Sequence, residues 1–234
     1  MKRLLSTLFV ILYATSFLGY TYVTRNGVKY IVFENEQRAS VSGPEDRNCK
    51  VIEIQKEVDG YKVNGINSAA FENCTNLTSV TIPSSVTNIG ISAFNGCSSL
   101  ASVTIPESVT NIGSHAFSGC SSLTSITIPD NVISLGSSAF ADCGGLTLVT
   151  LNSNSVVSKA YTSDNNLGTV FGTQVEEYVL GNNITSIGNN TFCGCSNLTS
   201  VTIPGSVTTI GGSAFYGCSN LSSVTIPGSV TTIG

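Results

Sequence analysis

Leu77-Thr78-Ser79-Val80-Thr81-Ile82-Pro83, followed by Val86, Ile89-Gly90, Ala93-Phe94 and Gly96-Cys97, is the stretch that decides the fold. The same order of residue types returns from Leu100 and again from Leu123, and Cys74, Cys97, Cys120 and Cys143 recur every 23 residues. A period of about 20–30 residues marks a stacked array in which each unit covers the apolar surfaces of its neighbours.

Within one unit, Val80 and Ile82 alternate with Ser79 and Thr81, which predicts a short strand with one face in the core and one in water. Pro83 has no amide hydrogen for a ladder and ends that strand. Val86 and Ile89 turn inward again, Gly90 stands where a side chain would hinder the turn, and Ala93-Phe94 fills the far side of the coil.

Working outward on Leu-x-x-Val-x-Ile gives seven rungs, starting at Leu77, Leu100, Leu123, Leu146, Val175, Leu198 and Leu221 with spacings of 23, 23, 23, 29, 23 and 23. Val175-x-x-Tyr178-x-Leu180 is fixed by counting back from Ile187-Gly188. An eighth, divergent rung begins at Cys49-x-x-Ile52-x-Ile54, with extra residues around Glu57–Tyr61. The expected architecture is therefore a β-rich solenoid over residues 49–234, with parallel strands about 4.8 Å apart. Residues 17–48 read as a small N-terminal β cap and link, with strands at Val28–Phe33 and Ala39–Val41 around the polar turn Glu34–Arg38. The irregular repeat, 146–174, lacks the Pro, Ile-Gly, Ala-Phe and Cys markers after Leu151; Leu167, Val170 and Phe171 are placed to restore its core.

Met1-Lys2-Arg3, then apolar Leu4–Tyr13, then small Ala14-Thr15-Ser16 reads as a signal peptide over residues 1–16. The stretch falls short of the roughly 20 apolar residues a spanning helix needs, so no membrane insertion is expected after cleavage. Export to the cell surface or the medium follows. At the other end the repeat stops at Ile233-Gly234 without a polar cap. That reads as an array truncated there, or as an open rung available for end-to-end self-association.

Charged residues are 10% of the chain, and nine of the ten bases lie at or before Lys62. From Ile66 onward only Lys159 is basic, against Glu72, Glu107, Asp130, Asp142, Asp164, Glu176 and Glu177. Nucleic-acid binding requires a basic stripe, and none is present.

The unit Ile-Pro-x-x-Val-x-x-Ile-Gly-x-x-Ala-Phe-x-x-Cys-x-x-Leu-x-x-Val stands nearly intact at residues 82–103, 105–126 and 203–224. It resembles the BspA-type leucine-rich repeats of surface and secreted proteins of anaerobic bacteria and some parasitic protists. The resemblance implies a right-handed leucine-rich-repeat solenoid and, for some members, adhesion to host proteins or other cells. It brings no catalytic motif, cofactor or metal site.

Eight cysteines in an exported chain first suggest disulfides. Equivalent residues of stacked coils, however, place their Cβ atoms about 4.8 Å apart, beyond the roughly 3.8 Å a disulfide favours. Reduced, packed thiols are expected, with Cys193, in the variable slot of Asn95, Ser118 and Tyr216, the most exposed. A linear thiol ladder does not converge on a metal. His115 takes a slot that elsewhere holds serine, and Glu107 and Asp130 form no evident acid–base pair, so no catalytic residue is assigned.

Two candidate contact surfaces remain. The outward strand positions Ser79, Thr81, Ser102, Thr104, Ser125 and Thr127 should stack as hydroxyl ladders, interrupted by Leu148/Thr150 and Glu177/Val179. The second surface is the insertion, with Lys159, Tyr161 and Asp164. The leading expectation is a non-enzymatic, adhesin-like protein that engages an extracellular protein or glycan of a host or neighbouring cell. A spacer that presents another domain is the alternative, and a surface carbohydrate-active enzyme the remote one.

Overall fold

The computed structural model describes residues 19–234, so the signal-peptide reading lies outside the described residues. Three strands open it: β1 (Tyr20–Arg25), β2 (Val28–Phe33) and β3 (Arg38–Pro44), paired antiparallel as β1–β2 and β2–β3. Asn26 and Gly27 both take positive φ, 51° and 74°, the geometry of a two-residue hairpin turn. Strand β1 was not expected, although Asn-Gly between apolar-polar runs is a strong hairpin signal. A single 3-10 turn, Glu34–Glu36, joins β2 to β3.

The first coil carries β4 (Val51–Glu53), β5 (Glu57–Val58) and β6 (Tyr61–Ile66). Its extra residues form the β5–β6 hairpin, turned at Asp59 and Gly60 with φ of 50° and 86°. Along the array follow β7 (Ser79–Thr81), β8 (Asn88–Ile89), β9 (Asn111–Ile112), β10 (Ser125–Ile128) and β11 (Ser134–Leu135). The irregular coil supplies β12 (Leu148–Leu151), α1 (Asn154–Val157) and α2 (Leu167–Phe171). The regular pattern then resumes with β13 (Glu177–Leu180), β14 (Ser186–Ile187), β15 (Ser200–Thr202), β16 (Thr209–Ile210) and β17 (Thr232–Ile233).

These strands make a β-solenoid of about nine turns. Two sides of the coil are parallel ladders. The Leu-x-x-Val-x-Ile side pairs β4 with β7, and separately β10–β12–β13–β15. The Ile-Gly side runs β3–β6–β8–β9–β11, with β14–β16–β17 as its continuation. The meander is thus part of this sheet, because β3 lies parallel to β6 with Ala39 opposite Val63. Both disguised rungs are in register: Ile52 pairs with Val80 and Tyr178 with Val149.

The third side carries a column of rings. Phe71, Phe94, Phe117 and Phe140 stack at successive centroid distances of 5.1 Å, nearly parallel, and all are fully buried. Offset stacking adds to a burial term of about 1.5–3 kcal/mol per large apolar side chain.

The irregular coil keeps the core by other means. Val157 O accepts from Gly188 N at 2.9 Å, just as Ile66 O accepts from Gly90 N at 2.8 Å, so α1 replaces the missing Ile-Gly strand. Phe140 N donates to Val170 O, and the Phe171 ring stacks 5.2 Å from Phe140. Buried Asn166 holds α2 through a capping box with Thr169. Val170 and Phe171 therefore take the Ala-Phe slots.

Proline explains strand length. Beyond β7 and β15 the chain reaches proline two residues later, whereas Asn152 and Gly181 stand in the proline slots of the central coils. Their amides donate to Ile128 O and Leu151 O at 3.0 and 2.9 Å, so β12 and β13 extend through the last apolar position.

Candidate binding surface

The Leu-x-x-Val-x-Ile side presents alternate side chains to solvent. Ser79, Thr81, Ser125, Thr127, Ser200 and Thr202 are exposed, while Val80, Ile126 and Val201 between them are buried. None of these six hydroxyls makes a side-chain hydrogen bond within the described residues. The threonines of the Ile-Gly side behave differently: Thr87, Thr110, Thr208 and Thr231 each donate their hydroxyl to a carbonyl of the preceding coil, at 3.1–3.3 Å. Two rows that look alike in sequence are chemically distinct. One is spent on the fold and the other is free.

The expected ladders are not continuous. Register places Ser125 beside Leu148, Leu148 beside Glu177, and Glu177 beside Ser200, which gives the row an apolar and an acidic member. A further break was not foreseen. Ala101–Ile105 and Ser222–Ile226 belong to no strand, so Ser102 and Thr104 are exposed but outside any ladder. The hydrogen bonds that Thr78 N donates to Lys50 O and Thr147 N to Thr124 O have no counterpart at Ala101 or Ser222. The sequence departs there too: Ala101 and Ser222 stand where Thr78 and Thr199 donate their hydroxyls to a carbonyl of the preceding coil.

The insertion is mostly structural. Tyr161, expected as a contact residue, is 8% exposed, and its hydroxyl donates to Val156 O at 2.9 Å. Burial pushes its phenol well above the ordinary range. Burial of the ring in the core, with its hydroxyl on an α1 carbonyl, corrects the reading of Tyr161 as a ligand contact. Lys159 and Asp164 are exposed, with the Lys159 ammonium 5.2 Å from the centre of the Tyr161 ring.

Four of the six regularly placed thiols donate to the preceding coil. Cys97 Sγ donates to Phe71 O at 3.2 Å, Cys120 to Phe94 O at 3.4 Å, Cys143 to Phe117 O at 3.1 Å and Cys218 to Phe192 O at 3.1 Å. In the irregular coil, which has no cysteine, the Gln174 amide donates to Phe171 O at 2.8 Å and Cys143 O at 3.1 Å. Burial pushes Cys97 and Cys195 up to about 12. Cys193, expected to be the most exposed, is 7% exposed, and Cys49 and Cys218 are the half-buried ones. The slot is sheltered in the regular array too, where Ser118 is 6% exposed. Among the described residues no three His, Cys, Asp or Glu side chains are placed to hold a metal ion. No helix among them is long and apolar enough to cross a membrane.

The array is a leucine-rich-repeat solenoid. Six copies of the BspA type leucine rich repeat region match residues 47–168 and 168–234, and the chain belongs to that family. A leucine-rich repeat protein of T. pallidum is similar at 26% identity over 85% of this chain and 90% of its own, with a TM-score of 0.67. One from Bacteroides capillosus ATCC 29799 is 30% identical over 56% of this chain and 98% of its own, with a TM-score of 0.51. No curated protein matches the chain.

Proposed function

We propose that this is a secreted or cell-surface, non-enzymatic binding protein that engages an extracellular protein or glycan through its strand face. The observation that carries the reading is the row of unspent hydroxyls: Ser79, Thr81, Ser125, Thr127, Ser200 and Thr202 are exposed on strands while their Ile-Gly-side equivalents are satisfied internally. Such a face offers donors and acceptors at a fixed strand spacing with little charge, which suits polar, extended or repetitive ligands. Membership in the BspA-type family supports a surface location. Lys159 and Asp164 are the exposed part of the insertion and form the second candidate contact.

Arrays of extracellular-matrix proteins and glycans test this reading, with the parent beside two variants. Ser125→Lys with Thr127→Lys blocks the strand face; replacing residues 159–164 by Gly/Ser removes the insertion contact. Binding that is lost in the first variant and kept in the second is the expected result. Equal binding by all three proteins would sink the strand-face assignment.

A further inference from the structure

Strand β1 is the outermost member of its sheet, with β2 on one side and no strand among the described residues on the other. The two-residue turn at Asn26 and Gly27 closes on the pair Arg25 and Val28, so the residues of β1 that bond to β2 are Arg25, Val23 and Thr21. The amides and carbonyls of Tyr20, Tyr22 and Thr24 therefore point away from β2. Among the described residues only one of these groups is met: Thr24 O accepts from the Arg25 guanidinium at 2.9 Å. Edge strands are ordinarily blunted by shortness, by proline or lysine, or by a bulge. At the far end of the array the edge strand β17 is two residues long. Strand β1 has six residues, no proline, no lysine and no bulge in its register with β2. Its one charged side chain, Arg25, stands at the end and is turned onto Asp59 at 2.7 Å. The tyrosines, threonines and valine that make up the rest are strong strand formers.

The side chains along this edge are incompletely covered on both faces. On the outer face Tyr22 is 53% exposed and meets Tyr20 edge-on, with ring centroids 5.7 Å apart. On the inner face Val23 packs against the core but is only partly buried, whereas Tyr30 opposite it on β2 is fully buried. One more strand beside β1 makes good both deficits. Tyr22 is the middle of the three free residues, so a two-fold axis through it satisfies all of them with the same strand of a second molecule. We infer that β1 pairs antiparallel with β1 of a second copy of this chain, Tyr22 opposite its own counterpart and Tyr20 opposite Thr24. The same register sets Thr21 opposite Val23 on the inner face and Arg25 opposite Gly19, so no like charges meet. This self-complementarity selects a second copy over an unrelated strand. The edge belongs to the sheet of the Ile-Gly side, so self-pairing leaves the hydroxyl row of the other side free.

Sedimentation equilibrium of the purified chain from micromolar to millimolar concentration tests this pairing, with amide hydrogen exchange read by NMR on the same samples. A monomer–dimer equilibrium is expected. Exchange at Tyr22 and Thr24 should slow at least tenfold at the highest concentration, while Val23 stays protected throughout. Tyr22→Pro removes an outward amide that β1 does not use in pairing with β2, and should weaken dimerisation at least tenfold. Tyr22→Lys keeps every amide and sets two ammonium groups across the axis. It should weaken dimerisation to a similar extent, most strongly at low salt, without changing the circular dichroism. A chain that stays monomeric at millimolar concentration overturns the inference, as does equal dimerisation by the parent and Tyr22→Lys. Association kept by Tyr22→Lys and lost in Ile233→Lys would overturn it in favour of the C-terminal rung. A monomer whose Tyr22 amide slows only on addition of acetyl-Tyr-Thr-Tyr-Val-Thr-Arg-amide would overturn it in favour of a strand from another protein.

Discussion

The ring of Tyr178 lies 4.9 Å from that of Phe192 at an interplanar angle of 56°, and 6.1 Å from that of Phe171 at 72°. It joins two otherwise regular columns, Phe71 to Phe171 and Phe192 to Phe215, through tilted and edge-on contacts. Regular coils hold valine or isoleucine at this strand position; unlike the core phenols of Tyr30 and Tyr161, whose hydroxyls bond Gln55 N and Val156 O, this one enters the core without a partner. Its hydroxyl is buried and makes no hydrogen bond, although the Cys195 thiol lies beside it.

Removing that hydroxyl should therefore stabilise the protein. An unsatisfied buried polar group costs about 1–3 kcal/mol, so Tyr178→Phe should gain about 1 kcal/mol and raise the urea midpoint. Tyr178→Val restores the residue of the regular slot but removes the ring that bridges the columns; a loss of about 3 kcal/mol is expected. A lower midpoint for Tyr178→Phe would show that the hydroxyl has a partner.

The glycines divide into two kinds. A Cβ on Gly113 would sit 2.6 Å from Ile91 N and 2.7 Å from Gly90 C, both backbone atoms of the preceding coil. The glycine of Ile-Gly is thus demanded by close stacking of coils, whereas Gly96, at φ +73°, serves a turn. Around Gly205 nothing lies within 4 Å. Gly113→Ala should cost about 3 kcal/mol or fail to fold, and Gly205→Ala should stay within about 0.5 kcal/mol of the parent. Thermal melts of the two variants compare them directly; equal melts would contradict the close-stacking account.

How much of this was legible follows from what repeats. Register, core positions and both disguised rungs were readable because Leu, Val, Ile, Phe and Cys mark the inward direction at fixed intervals. The replacement of a strand by α1 was not, since Val156-Val157 carries no period of its own and only its hydrogen bond to Gly188 reveals the substitution. Tyr161 misled because a phenol suits a surface and, with its hydroxyl satisfied by Val156 O, a core equally well. The breaks at Ala101 and Ser222 left a trace that was passed over: alanine and serine replace the threonine whose hydroxyl, at Thr78 and Thr199, bonds the preceding coil. The free hydroxyl row was named from sequence, but which of two threonine rows is unspent depended on geometry.

Thiol chemistry gives a prediction in pH. Burial raises Cys97 and Cys195 to about 12, so the folded state holds these protons more tightly than the unfolded chain. Their contribution is fully present below the ordinary thiol range, near 9, and is lost as pH rises toward 12. Stability should be flat in these groups from pH 6 to 8 and fall above 9, by up to about 1.4 kcal/mol per pH unit for each thiol. Urea midpoints across that range check the sign; a midpoint that climbs above pH 9 would contradict it. In the folded protein at pH 8, alkylation mass spectrometry should label Cys49 and Cys218 first, leaving Cys97, Cys120 and Cys193 protected until unfolding.

The ring column makes a last claim about cooperativity. Phe94 and Phe117 are fully buried and stack 5.1 Å apart at 8°, and Phe192 belongs to the column beyond Tyr178. Truncating any one to alanine should cost about 3–5 kcal/mol. The milder substitution Phe→Leu keeps the chain folded and permits double-mutant cycles. In a stacked array stability is a sum of unit and nearest-neighbour terms, so Phe94→Leu with Phe117→Leu should couple by at least about 0.5 kcal/mol. Phe94→Leu with Phe192→Leu should add within about 0.3–0.5 kcal/mol, because several coils and the Tyr178 junction separate them. Denaturant titrations of the three single variants, the two double variants and the parent measure both numbers. Coupling of equal size in the two pairs would mean that the irregular coil transmits packing as well as a regular one does, and that the phenylalanine column is a single cooperative unit despite Tyr178.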